Sequence, residues 1–99
     1  MAINERQFKY LLGWLIAGSR GGPTRANIIE ILKETPQNAN QLSTLLKVDY
    51  KTIRHHIDVL IKNKMITSIG DYGETYFLSQ ALEENYDSFL AIRKRIGKR

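Results

Sequence analysis

The side chains best suited to chemistry in this 99-residue chain stand together on one segment, Asp49-Tyr-Lys-Thr-Ile-Arg-His-His-Ile-Asp-Val-Leu-Ile-Lys-Asn-Lys64. At about 100° per residue, Ile53, Ile57, Leu60 and Ile61 gather in one stripe, Lys51, His55, Asp58 and Lys62 project from the opposite side, and Arg54 lies on the flank. A helix with one edge that packs and another that carries basic and imidazole groups suits a nucleic-acid groove. Such helices meet base edges with their first turns, which nominates Tyr50, Lys51, Arg54 and His55. Lys51 and Arg54 can each donate to guanine O6 and N7, and the arginine fork matches the two acceptors better. Thr52 and Asn40 sit near helix starts, where hydroxyl, amide and backbone N–H groups hold phosphates. Capping accounts for these two almost as well, and a solvated polar face is the plain alternative for the whole set.

Adjacent histidines invite a metal ion, but neighbours on a helix diverge by about 100° and cannot share one ligand without help from elsewhere, so no metal site is expected. His55 lies on the exposed side, free to hydrogen-bond a base or phosphate. Its protonation in mildly acidic solution adds positive charge and is expected to tighten binding to a polyanion. His56 falls beside the apolar stripe and reads as a packed, satisfied residue. The absence of cysteine excludes disulfides, thiolate metal sites and a cysteine nucleophile, and suits a reducing, cytoplasmic setting. With no phosphate loop or histidine–carboxylate motif either, neither an enzyme nor a cofactor is expected. Fifteen Lys and Arg against ten Asp and Glu leave a net charge of +5, which favours DNA, RNA or an anionic membrane surface. That surplus sits in two places, Lys47 to Lys64 and Arg93 to Arg99.

The elements that must position these groups follow from periodicity and caps. Residues 3 to 17 carry Phe8, Leu11, Leu12 and Leu15 at helical spacing, with Tyr10, Trp14 and Ile16 widening the apolar face so that it touches two surfaces. Its apolar run is too short to span a bilayer, and Glu5 and Trp14 argue against a signal peptide. After the loop Gly18-Ser-Arg-Gly-Gly22, a second helix runs from Pro23 to Glu34, with Ile28, Ile31 and Leu32 on its buried edge, and ends at Thr35-Pro36. Asn38 or Asn40 caps a third helix, Gln41 to Leu46, with Leu42, Leu45 and Leu46 facing inward. Lys47-Val48 turns and Asp49 caps the fourth helix, about 49–63, the short joint that a helix-turn-helix requires. Met65 to Ile69 and Thr75 to Leu78 pair as a β-hairpin about Gly70-Asp-Tyr-Gly73. Ser79 then caps a last helix bearing Leu82, Tyr86, Phe89, Ile92 and Ile96, which Gly97 terminates. The chain is thus a single domain, mainly α with a small hairpin: residues 1–20 as N-terminal helix and loop, 22–79 as core, 80–99 as C-terminal helix and basic tail.

This order is that of a winged helix-turn-helix with extra helices at both ends, and its residues resemble those of archaeal ArsR-like transcription regulators. The resemblance rests on Thr24-Arg25, Asn38-Ala-Asn-Gln-Leu42, Asp49-Tyr-Lys-Thr-Ile-Arg-His-His-Ile57, and Tyr72-Gly73 with Tyr76, and covers residues 23 to 80. It implies a homodimeric, sequence-specific regulator of transcription. Its fourth helix would enter the major groove of double-stranded DNA, its hairpin would run along the backbone, and its terminal helices would build the dimer. Relatives that sense metals use cysteine-containing clusters, which this chain lacks.

On that reading Leu11, Trp14, Leu82, Tyr86 and Phe89 are expected at the dimer surface, their alternative being packing within one subunit. Trp14, Tyr86 and Phe89 would also suit an effector pocket between subunits, although the effector is unknown. Two dimer-related recognition helices imply inverted half-sites about 34 Å apart. Tyr72 at the hairpin tip is placed to meet the backbone, but Asp71 and Glu74 bracket it with negative charge that repels phosphate. The tail Arg93-Lys-Arg95 with Lys98-Arg99 is either a phosphate clamp or a set of cations answering the helix dipole. A protein-interaction adaptor without specific DNA binding is the alternative function, since winged helices serve both ends.

Overall fold

The computed structural model describes residues 4–70 and 74–97. Helix α1 spans Glu5–Ile16, and Asn4 starts it with a capping box: the Gln7 N–H donates to Asn4 Oδ1 at 2.8 Å while Gln7 Oε1 accepts from the Asn4 N–H. Helix α2, Gly22–Glu34, begins with Pro23 in its first turn. Gly22 is obligatory there for a packing reason, because a Cβ at this position would overlap the Ile16 carbonyl. Helices α3 (Ala39–Leu46) and α4 (Tyr50–Lys62) are joined by a three-residue turn in which Lys47 adopts φ 56° and the Ser43 hydroxyl donates to the Val48 carbonyl at 2.6 Å.

Strands β1 (Ile66–Ile69) and β2 (Thr75–Leu78) pair antiparallel in the register Ile66 to Leu78, Thr67 to Phe77, Ser68 to Tyr76 and Ile69 to Thr75. The expected hairpin is therefore present, and the sheet continues one step further than expected. Gln37, between α2 and α3, exchanges two backbone hydrogen bonds with Tyr76, at 3.2 and 2.8 Å. That bridge ties the entry of the helix-turn-helix to the hairpin.

The expected single C-terminal helix is two helices, α5 (Gln80–Glu84) and α6 (Tyr86–Ile96). Asn85 makes the break. Its side-chain amide donates to the Ala81 carbonyl at 2.9 Å, and its backbone sits at φ −114°, ψ 24°. Asparagine competes locally for backbone partners in this way and is a poor helix-interior residue.

One cluster of buried side chains draws on all of these elements, including Leu12, Leu15, Ile28, Leu42, Ile53, Ile57, Leu60, Tyr76, Leu82 and Phe89. The α4 stripe is buried as expected at Ile53, Ile57 and Leu60, but Ile61 is exposed. On α3, Leu42 is buried and Leu46 partly so, whereas Leu45 is 56% exposed instead of facing inward. An eight-residue helix has room for only one narrow buried edge, and Leu42 with Leu46 takes it.

Candidate nucleic-acid interface

The surface worth testing as a site is the outer side of α4, with the start of α3 and the hairpin on its flank. Asp49 fixes where α4 begins: one carboxylate oxygen accepts from the Lys51 and Thr52 N–H groups at 3.0 and 3.3 Å. Tyr50, Lys51, Thr52 and His55 are then exposed on the same helix whose Ile53, His56, Ile57 and Leu60 are buried. Asp58 and Lys62 extend the exposed side. The choice left open for α3 is settled for Asn38, whose Oδ1 accepts from the Gln41 N–H at 2.7 Å while Gln41 Oε1 accepts from the Asn38 N–H. Asn40 is consequently an exposed residue of the first turn and not a cap.

Arg54 is placed differently from its neighbours. Its side chain is 39% exposed, and one terminal nitrogen donates to the Tyr76 hydroxyl at 2.7 Å while the other lies 3.8 Å from Asp58. Tyr76 in turn donates to Glu74 Oε1 at 3.2 Å, and Ser68 donates to Glu74 Oε2 at 3.0 Å. Desolvation alone would lower the Arg54 guanidinium, but the Tyr76 and Asp58 oxygens outweigh it and hold it above its usual value. Burial raises the Tyr76 phenol, opposed by Arg54 and assisted by Glu74, so it stays a protonated donor. The acidity expected at the wing is thus, at Glu74, already engaged by two hydroxyls. Asn38, Ala39, Asn40, Tyr50, Arg54, Glu74 and Tyr76 line a shallow cleft of about 200 Å³. Tyr72, with Asp71 and Gly73, lies outside the described residues.

Behind α4, His56 is 7% exposed and its Nδ1 stands 3.2 Å from Arg25 Nη1. Arg25 is buried as well; its Nε donates to the Leu15 carbonyl at 3.1 Å and its other terminal nitrogen to the Ser19 hydroxyl. Burial lowers the His56 imidazole, with Arg25 and His55 adding to the effect, and burial lowers Arg25 too. Nδ1 therefore accepts and the ring is neutral. This confirms His56 as a satisfied packing residue, and it couples the end of α1 to α4. Among the described residues no three His, Asp or Glu side chains cluster as a metal would need, and the His55 and His56 rings meet edge to face, 5.4 Å apart.

Several expected roles change. Leu82 and Phe89, expected at a dimer surface, are 0% exposed within the single chain, because the turn at Asn85 directs both inward. Leu11 and Tyr86 are partly buried, Tyr86 beneath the Lys33 ammonium at 4.8 Å and against the Phe89 ring. Trp14 remains 54% exposed, and Tyr10, with no site role assigned from sequence, is more exposed still. Lys9, Tyr10, Gly13, Trp14, Ser88, Ala91, Ile92 and Arg95 line an open groove of about 540 Å³ between α1 and α6. Arg93 is no free tail cation. It is 6% exposed and donates to Glu30 at 3.2 Å, Asn27 at 3.1 Å and the Gly97 carbonyl at 2.6 Å, locking α6 to α2. Lys98 and Arg99 lie outside the described residues.

Residues 22–68 match the family model described as bacterial regulatory protein, arsR family. A probable transcriptional regulator from Pseudomonas aeruginosa is 30% identical over 92% of this chain and 74% of its own, with a TM-score of 0.67. The solution structure of a homodimeric winged helix-turn-helix DNA-binding domain from Mycobacterium bovis, a possible ArsR-family regulator, aligns with 97% of this chain and 89% of its own at 11% identity and a TM-score of 0.68. A transcriptional regulator from Thermotoga maritima aligns with 92% of this chain and 70% of its own at 19% identity and a TM-score of 0.66. The last two, at such identities, speak to the fold. No protein of curated function matches the chain in sequence.

Proposed function

Because the chain belongs with the winged helix-turn-helix transcriptional regulators and carries an ArsR-family helix-turn-helix domain at residues 22–68, we propose that it acts as a homodimeric, sequence-specific DNA-binding regulator. The observation that carries the reading is the division of α4. Ile53, His56, Ile57 and Leu60 are buried against the core, and Tyr50, Lys51, Thr52 and His55 stand exposed on its first turns. A rigid helix presenting its N-terminal side chains is what major-groove entry demands. Lys51, with Tyr50 and His55, is assigned to base edges. Thr52 and Asn40 are assigned to phosphate and set register without reading sequence, and Tyr72 is assigned to the backbone beside the hairpin.

The dimer is assigned to the open side of α1 and α6, where Tyr10, Trp14 and Leu90 are exposed. The Mycobacterium bovis domain, described as homodimeric, supports a symmetric arrangement. Among the described residues no helix is long and apolar enough to cross a membrane, and a regulator of transcription works where the DNA is, in the cytoplasm on this reading.

Selection of bound duplexes from a random pool tests specificity and symmetry together: the expected product is an inverted repeat with half-sites one turn apart. Lys51→Ala combined with Arg54→Ala is expected to abolish binding to the selected duplex while circular dichroism and sedimentation stay unchanged. Undiminished binding by that double variant would overturn the assignment of α4, and failure of the unmodified protein to select any duplex would favour a protein-interaction adaptor.

A further inference from the structure

Reading guanine with arginine requires two N–H groups of one guanidinium edge to be free and parallel. In this structure the end-on edge of Arg54, formed by its two terminal nitrogens, is not free. One terminal nitrogen is committed to Tyr76 at 2.7 Å and the other is drawn toward Asp58 at 3.8 Å. The Tyr76 hydroxyl cannot easily yield, because its ring is 1% exposed and its backbone is paired on both sides, to Gln37 and to Ser68. Its own proton is directed to Glu74, which Ser68 holds from the other side. The donors run in one direction, from guanidinium to phenol to carboxylate, so every member favours the same arrangement.

From this geometry, and resting on the DNA-binding reading above, we infer that Tyr76 is a specificity-determining positioning residue. Its hydroxyl holds Arg54 back at the junction of α4 with the hairpin, where Arg54 contributes charge to binding without discriminating bases. Lys51 and its neighbours on the first turns are left as the readers. Tyr76 touches no DNA in this scheme and acts through Arg54. Sequence spacing alone puts Arg54 among the base readers; the contact that withdraws it comes from a strand 22 residues away.

The test is Tyr76→Phe, which keeps the buried ring and removes only the hydroxyl. Duplex selection with this variant is expected to yield a new guanine preference at one position per half-site. The gain should be roughly 5- to 150-fold over the other bases, the range of a good bidentate contact. Adding Arg54→Ala or Arg54→Lys to Tyr76→Phe should erase that preference, since neither presents the fork. In the unmodified background Arg54→Ala should weaken binding to all duplexes by a similar factor. Glu74→Gln, which leaves the core untouched, should shift base preference in the same direction as Tyr76→Phe but by less. Without DNA, the Arg54 guanidinium protons should show slowed rotation by NMR in the unmodified protein and free rotation in Tyr76→Phe. An unchanged base preference in both Tyr76→Phe and Glu74→Gln, or equally free guanidinium rotation with and without the hydroxyl, overturns the inference. Failure of the unmodified protein to select any motif overturns the DNA reading itself, and the inference with it.

Discussion

The buried pair Arg25–His56 makes a pH dependence of stability that can be worked out from its geometry. Nδ1 of His56 accepts from Arg25 at 3.2 Å inside the protein, so protonating the ring would remove the acceptor and set a second cation against the first. Burial, then Arg25, then His55 hold the folded-state imidazole below its ordinary value. In the unfolded chain the ring takes up a proton as pH falls through about 6.5, while the folded protein resists. The unfolded state then binds more protons, and stability falls with falling pH until the folded value is also reached. The ceiling for one such group is about 1.4 kcal/mol per pH unit. For a domain of this size that corresponds to a drop in Tm of roughly 5 to 10 °C per unit. His56→Asn is the informative variant, since its amide oxygen can still accept from Arg25 yet cannot protonate. It should be less stable in neutral solution by roughly 1 to 3 kcal/mol, for lost packing, but its urea-unfolding midpoint should fall less steeply below about pH 6.5. Parallel stability curves for the two proteins across the acidic range would refute the reasoning.

Four further outcomes are expected. Gly22→Ala should lower Tm, against the gain of about 1 kcal/mol that helix propensity assigns to this exchange, because the added Cβ overlaps the Ile16 carbonyl; a raised Tm would contradict the close approach. Arg93→Met should cost about 2 kcal/mol in urea unfolding through lost bonds to Glu30, Asn27 and Gly97, with the salt dependence of DNA binding unchanged. Phe89→Ala should cost about 3 to 5 kcal/mol in the folded chain, whereas Trp14→Ala should leave folding nearly intact and weaken self-association in sedimentation. Arg54→Ala should reduce the log–log salt slope of duplex binding by roughly 0.9, because its guanidinium contributes charge without reading bases, which an anisotropy titration over a salt series measures.

What could be read along the chain was whatever short-range rules decide. The capping box at Asn38, the cap at Asp49, the stop at Thr35-Pro36 and the hairpin ends each depend on residues within about four positions of one another, as does the division of α4 into an inward and an outward side. The motif order, and with it Lys51 and His55 on the outside and His56 on the inside, was legible for that reason. The partners of the charged groups were not. Arg54 with Tyr76, Arg25 with His56, and Arg93 with Glu30 are separated by 22, 31 and 63 residues, and nothing local distinguishes an arginine that will find a buried acceptor from one that will face solvent. Leu82 and Phe89 carried the same helical spacing whether they met a second subunit or their own core; the bend at Asn85 and the packing of α6 on α1 and α2 settled it. Periodicity names the side of a helix that leaves water, whereas only packing selects what replaces the water, because a side chain's partner depends on how distant segments are brought together and not on its neighbours in the chain.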